Sequence, residues 1–297
     1  MTLDNLLASP RVISATEQPV LKLLRSPLPT EYKKSFGHVA VLEGEPQKQG
    51  ASRLSARAAL RAGAGLVTLL VHDVSGRCTY DLAEFMKQVF TLQANDSSLE
   101  PFSALVIGPG LGLSRLSQTR GLLAFDEALK QNRPVVLDAD GLSFLKNPDA
   151  LTSNTQSVVI ATPHPGEAGK ILGTSTLEVE ENRLKALHDL CTLSHPLPFR
   201  VIWVLKGSSP LVCETGKQPV LCEGNVPLLG VGGSGDVLSG CIAALIPRTD
   251  DPFDAALLGV TALLAAGRKL ERQSKRGLLA SEIADGLSAV LYPPSSF

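Results

Sequence analysis

Residues 38–71 read HVAVLEGEPQKQGASRLSARAALRAGAGLVTLLV, and two periodicities follow one another within this one segment. His38-Val39-Ala40-Val41-Leu42-Glu43 is a short apolar run rich in β-branched residues, which reads as a strand. Gly44 to Gly50 is a polar loop. Ala51 to Ala62 sets Leu54, Ala58 and Ala62 four residues apart, on one face of a helix. Gly63 stops that helix, and Gly65 leads into a second continuous apolar run, Leu66 to Val71. Strand, loop, helix and strand make a βαβ unit. Because the strands are apolar without alternation, they belong in a parallel sheet covered on both faces.

The same alternation continues along the chain. Ala104 to Ile107 is a strand that breaks into Gly108-Pro109-Gly110-Leu111-Gly112, and Leu116 to Gln131 is an amphipathic helix. Pro134 to Leu137 runs into Asp138-Ala139-Asp140-Gly141, Val158 to Ala161 into Thr162-Pro163-His164-Pro165-Gly166-Glu167, and Val201 to Leu205 into Lys206-Gly207. Each polar cluster falls at the carboxyl end of a strand, the edge at which open α/β sheets bind ligands. Ala255 to Arg272 is one helix, and Ser281 is expected to cap another, with Glu282 and Asp285 in its first turns. Residues 1–36, with Pro10, Pro19, Pro27 and Pro29, are expected to be a lead-in packing on the outside of a single domain spanning 1–297.

With 28 basic and 29 acidic residues the net charge is −1, which argues against a nucleic-acid face or an anionic membrane surface and for a small-molecule partner. Five cysteines form no CxxC pair, as expected of reduced thiols in a cytoplasmic protein. The start MTLDNLLASPRV lacks the basic and apolar regions of a secretory signal. The apolar stretch Ala255 to Gly267 is too short to span a bilayer and reads as a helix buried in a large fold.

The densest chemical signal is Gly224 to Leu245, GNVPLLGVGGSGDVLSGCIAAL. Gly232-Gly233-Ser234-Gly235 lets main chain approach a ligand closely, and the following helix offers its first N–H groups to an anion. Asp236 adds negative charge where the backbone invites it. That conflict resolves if Asp236 is a base taking a proton from a hydroxyl, while the Gly233, Ser234 and Gly235 amides hold the phosphoryl group under attack. The plainer alternative is a capped helix after a tight loop.

The other clusters carry similar pairs of readings. Gly110 and its neighbours either approach a substrate or form a strand-to-helix turn. Of Asp138 and Asp140, one is expected to cap the helix near Gly141; that role is assigned to Asp138, and contact with a sugar hydroxyl or Mg²⁺ to Asp140. His164, fixed between Pro163 and Pro165, is expected to contact a ligand, and Glu167 to hold Mg²⁺ or complement a helix dipole. Lys206 either meets nucleotide phosphates or simply ends a strand. Gly166 to Lys170 imitates a P-loop, but its glycines are too close together and Ile171 stands where the metal-binding Ser or Thr belongs. No GxGxxG follows the first strand, which disfavours a Rossmann domain.

Taken in order, AALRAGAGLVT (58–68), VIGPGLG (106–112), LDADGL (137–142), TPHPGE (162–167), LKG (205–207), GGSGDVLSG (232–240) and RGLLASEI (276–283) resemble the ADP/ATP-dependent NAD(P)H-hydrate dehydratases of the ribokinase-like superfamily. Glu84 and Met86 in AEFM resemble a further stretch of that family. The resemblance implies a ribokinase-like three-layer sandwich with a mostly parallel central sheet and helices on both faces. It implies (S)-NAD(P)H-hydrate as substrate, ADP or, less expected, ATP as co-substrate, and Mg²⁺. Asp236 would be the base; Ala51, Gly110 and His164 would contact the hydrate, beside the Asp140 contact read above; Lys206, Gly207, Ser208, Ser209 and Pro210 would contact the nucleotide, and Gly235 would border both. No fused epimerase domain is expected, and pairing into a homo-oligomer is open. The chain departs from the family at Glu43-Gly44, usually Gly-Gly, at Val226 to Val231, at Pro210, and near Ala262, where a histidine is common. A small-alcohol or vitamin-precursor kinase and a nucleotide-binding relative without turnover share the same motifs.

Overall fold

The computed structural model describes residues 10–14, 22–25, 27–72, 83–90, 99–146, 156–273 and 276–293. Its strands are β1 (Arg11–Ser14), β2 (His38–Leu42), β3 (Leu66–Val71), β4 (Met86–Val89), β5 (Ala104–Ile107), β6 (Val135–Leu137), β7 (Val158–Ala161), β8 (Arg200–Leu205), β9 (Leu211–Glu214) and β10 (Val220–Glu223). The helices are α1 (Gln49–Arg61), α2 (Arg115–Lys130), α3 (Pro165–Leu172), α4 (Thr176–Glu181), α5 (Arg183–Ser194), α6 (Ser234–Leu245), α7 (Pro252–Glu271) and α8 (Ala280–Leu291).

All the strands join one sheet in the order β1-β10-β9-β8-β7-β6-β5-β2-β3-β4. Among the described residues only β9 runs against the rest, pairing antiparallel with β8 and β10. The unalternating strands split their side chains between two cores: in β2, Val39 and Val41 face one cluster and Ala40 and Leu42 the other. α1, α6, α7 and α8 cover the first face, and α2, α3 and α5 the second. Each Val or Leu so enclosed contributes about 1.5–3 kcal/mol, so the sheet is held from both sides as the sequence requires. The βαβ unit closes because Gly63, at φ 97°, turns α1 back toward β3.

Two expectations change. Within the lead-in, Arg11–Ser14 is part of the sheet as an edge strand parallel to β10. Ser281 does not cap α8: the N-cap is Leu279, whose N–H donates to the Glu282 carboxylate at 2.7 Å, and Ser281 lies inside the first turn. Of the five cysteines, Cys191, Cys213, Cys222 and Cys241 are buried free thiols, and Cys78 lies outside the described residues. No described helix is long and apolar enough to cross a membrane.

Candidate active site

The site is built where α6 begins. Gly233 precedes it at φ 96°, a left-handed conformation open to glycine, and a Cβ there would lie 2.6 Å from Leu54 Cδ1. Farther along, α6 touches α1 backbone to backbone, since a Cβ on Gly240 would sit 1.9 Å from the Ser55 carbonyl oxygen. The hydroxyls of Ser55 and Ser239 both donate to the Asp236 carbonyl, at 2.8 and 2.9 Å. These contacts fix the first turn. No side chain caps it, and Asp236 does not fold back on its own helix. The Ser234 N–H reaches Val231 O and the Val237 N–H reaches Gly233 O, whereas those of Gly235 and Asp236 have no acceptor among the described residues. Two amide hydrogens are therefore left for a ligand.

Facing that turn is a cluster of charge. Lys206, leaving β8, places Nζ 2.7 Å from Asp138 Oδ1 and 3.6 Å from Glu167 Oε2. Asp138, at the end of β6, is 1% exposed. A Cβ on Gly235 would be 3.2 Å from Lys206 Nζ and 3.6 Å from Asp138 Oδ2, so the helix start lies directly against the pair. Burial pushes the Asp236 carboxyl up to about 7; Asp138 and Glu167 push it the same way, and Lys206 opposes them. Burial pulls Lys206 down, but Asp138, Glu167 and Asp236 outweigh it and the net shift is upward. One cation thus faces three carboxylates, and burial first, with the two neighbouring carboxylates second, keeps Asp236 protonated to near neutrality.

Ser234 and Gly235 also border a cavity of about 300 Å³. Lys206, Gly207, Ser208 and Pro210 form one side, the segment from Asn225 to Gly230 another, and Val260, Leu263 and Leu264 of α7 the floor. Three of the sequence's departures meet here: Pro210, Val226 to Gly230, and the stretch around Ala262 that lacks a histidine. The 206–209 loop is shaped from below by Arg183, whose Nη2 donates to the carbonyls of Leu205, Lys206 and Ser209 at 3.2, 3.1 and 3.2 Å. Gly207, at φ 147°, leaves room for that guanidinium; a Cβ would meet Arg183 Nη1.

The remaining expected residues fall at several places on the same edge. Ala51, in the first turn of α1, faces Gly110, where a Cβ would lie 3.2 Å from that of Ala51. Asp140 Oδ2 accepts the Gly112 N–H at 2.9 Å and ties the Gly108–Gly112 ribbon to β6. Asp138, expected to cap a helix, instead turns to Lys206. Ala139 between them, at φ 47°, is one of two non-glycine residues with positive φ among those described, and this reversal aims the two aspartates apart. His164 caps α3, its Nδ1 accepting the N–H groups of Gly166 and Glu167 at 3.0 and 3.3 Å. That bonding assigns the ring proton to Nε2, 3.4 Å from Glu167 Oε1. Glu167 Oε2 also accepts the His164 N–H at 2.7 Å. Ser209 does not line the cavity; its carbonyl belongs to Arg183. Sequence reasoning missed Asp138 and Arg183 as parts of the site. A lone Asp directly after the all-apolar strand Val135–Leu137 was the available signal for the first, and the second carried none.

Among the described residues no group of three His, Cys, Asp or Glu side chains is disposed to hold a metal. The donor set fits the other mode of Mg²⁺ binding, in which one or two carboxylates and waters complete an ion coordinated by substrate phosphates. Glu167, beside Lys206, is so placed.

The mostly parallel sheet with helices on both faces is a ribokinase-like fold. The chain belongs to the NAD(P)H-hydrate dehydratase family, whose sequence model matches residues 39–288. It is 35% identical to the bifunctional NAD(P)H-hydrate repair enzyme of Coxiella burnetii over 88% of this chain and 52% of that one. It is 33% identical to the ADP-dependent (S)-NAD(P)H-hydrate dehydratase of Neisseria meningitidis, over 85% of this chain and 84% of that one. The crystal structure of the ADP/ATP-dependent NAD(P)H-hydrate dehydratase of Bacillus subtilis, co-crystallised with ATP and Mg²⁺, superposes with a TM-score of 0.73 at 25% identity, covering 96% of this chain and 98% of that one. The chain spans about half the length of the bifunctional relatives it matches.

Proposed function

We propose that this chain restores NAD(P)H from (S)-NAD(P)H-hydrate at the expense of ADP or ATP, as a metabolite-repair dehydratase working on small molecules in the cytoplasm. The observation that carries the reading is Asp236: a carboxylate titrating near neutrality, on a helix start whose Gly235 and Asp236 amides have no acceptor among the described residues, next to a nucleotide-sized cavity. Asp236 takes the proton of the hydrate hydroxyl. The freed oxygen attacks the terminal phosphorus of the nucleotide, and the bond to the bridging oxygen breaks, leaving AMP from ADP or ADP from ATP. The Gly233 to Gly235 main chain and Lys206 take up charge on the phosphoryl oxygens. The ring nitrogen then pushes its electron pair toward the carbon bearing the new ester, the C–O bond breaks, phosphate departs, and a ring proton is lost to restore the dihydropyridine.

Lys206, Gly207, Ser208 and Pro210 hold the nucleotide at the cavity, with Arg183 setting their loop. Ala51, Gly110 and the Nε2–H of His164 meet the hydrate, and Asp140 keeps Gly110 in place through Gly112. Mg²⁺ bound at Glu167 would neutralise charge on the nucleotide phosphates. The family likeness and the ADP-dependent relative favour ADP. Incubation with the hydrate, Mg²⁺ and ADP or ATP is expected to restore dihydronicotinamide absorbance. No recovery with either nucleotide, from folded protein, rejects the reading; a stable phosphate ester as end product would mark a small-alcohol kinase instead.

A further inference from the structure

A second cavity, of about 390 Å³, opens on the same edge of the sheet. Glu43, Glu45, Gln49, Leu116, Ser117 and Arg120 are among its walls, from the ends of β2 and the first turns of α1 and α2. None of the residues given a role in the proposed reaction lines it. Only β5 separates β2 from β6, so with strands about 4.8 Å apart the cavity begins roughly 10 Å from Asp138. Between them lies a bare backbone ridge, where a Cβ on Gly44 would sit 1.8 Å from the Gly110 carbonyl oxygen. A long molecule with one end at Asp236 would have to cross this ridge to reach the cavity.

The lining is suited to a neutral group rich in hydroxyls. Among its described residues Arg120 is the one Lys or Arg, 3% exposed, and its three nitrogens donate to the carbonyls of Phe90, Glu43 and Leu70 at 3.2–3.4 Å. It is wall rather than receptor. Glu43 lies 3.4 Å from Arg53 Nη2. The Ser114 N–H, 3.0 Å from Glu45 Oε1, holds the Glu45 carboxyl below its ordinary value, so it is an anion at neutral pH. Carboxylates accept several hydrogen bonds, and Pro46 and Leu116 supply an apolar wall for a ring. A phosphate monoester would bring negative charge against both glutamates.

We propose that this cavity takes the adenosine half of the hydrated dinucleotide, and that Glu43 and Glu45 favour the free ribose 2′-hydroxyl, selecting NADH-hydrate over NADPH-hydrate. The inference rests on the dehydratase reading above. It follows the logic by which an acidic side chain accepts the 2′-hydroxyl and a cation the 2′-phosphate.

Three substrates test it: NADH-hydrate, NADPH-hydrate, and the hydrate of reduced nicotinamide mononucleotide, which lacks the adenosine half. The protein is expected to show kcat/KM about tenfold higher for NADH-hydrate than for NADPH-hydrate. Leu116 is 49% exposed at the rim, so Leu116→Arg adds a cation without disturbing the core. That variant is expected to raise kcat/KM for NADPH-hydrate about tenfold and to leave the mononucleotide hydrate unchanged. Glu45→Gln should narrow the preference in the same direction. Equal use of the two dinucleotides by the unaltered protein, or a Leu116→Arg effect that appears equally on the mononucleotide, overturns the cavity assignment while leaving the dehydratase reading standing. No turnover of any hydrate overturns both.

Discussion

A carboxyl group that titrates at about 7 is both a usable base and a burden on the fold, and Asp236 is expected to show both properties. As a base it works only when ionised, so kcat/KM should rise with pH through about 7. Asp236→Asn should lower the rate by ~10²–10⁴ and remove that limb from the pH profile. Stability should move the other way. Its folded value lies above the ordinary 3.8, so below 3.8 the group is protonated folded or unfolded and costs nothing. Above 7 it is ionised in both states and the full desolvation cost, on the order of 2–4 kcal/mol, falls on the fold. Thermal unfolding of Asp236→Asn against the parent should therefore show a gain at pH 8 that shrinks toward pH 4; a gain independent of pH would refute the shift. Asp236 was legible in the sequence because three glycines and a serine precede it. Asp138 was not, because which of two aspartates faces the strand end depends on the positive φ of Ala139, and no local pattern announces it.

Elements matter here through how they hold loops. The loop after β8, proposed to hold the nucleotide, has glycine at 207 and little to stiffen it locally, yet Arg183 at the start of α5 gathers the carbonyls of Leu205, Lys206 and Ser209 with one nitrogen. Arg183 touches no proposed reacting atom and is a positioning residue. Arg183→Ala should raise the KM for ADP about tenfold, taking the loss of charge-assisted bonds at 1.5–3 kcal/mol, with a smaller change in kcat and none in the KM for the hydrate. Arg183→Lys, which keeps the charge but puts a compact ammonium on a flexible stem in place of the rigid guanidinium, should recover only part of the loss. Equal effects on both KM values would mark a general disturbance of the fold instead. Nothing in RLKALHDLCTLS distinguishes Arg183 from a solvated helix-start residue, so this support was invisible before the chain was folded. Helix α6 was the opposite case: Gly240, small for no local reason, becomes intelligible once Ser55 lies against it.

At the scale of the whole molecule, the parallel strands β2, β3, β5, β6, β7 and β8 were readable, whereas β9, β10 and the edge strands β1 and β4 were not. β2, β3, β5, β6, β7 and β8 are buried on both faces, and burial on both faces leaves an unbroken apolar run. β1 exposes two of its four residues and β4 three, and β9 and β10 are four-residue strands that end in glutamate, so none carries a long apolar run. The same architecture sets how ligand binding couples to folding. The 300 Å³ cavity draws on residues 206–210, 225–230, 234–238 and 260–264, which meet only when β8, α6 and α7 are packed together. A nucleotide that fits it has nothing equivalent to bind in the unfolded chain, so the linkage should be complete. ADP at a hundredfold excess over its Kd should stabilise the protein by about 2.7 kcal/mol. With an unfolding entropy near 2.1 cal/mol/K per residue, this corresponds in a chain of this length to a rise in Tm of about 4 °C. Calorimetric scans across an ADP series check it. The rise should continue logarithmically with ADP, persist in Asp236→Asn, and need about tenfold more ADP in Arg183→Ala. A Tm that ignores ADP in the parent protein would remove the nucleotide from this cavity, and with it the phosphoryl donor that the chemistry at Asp236 requires.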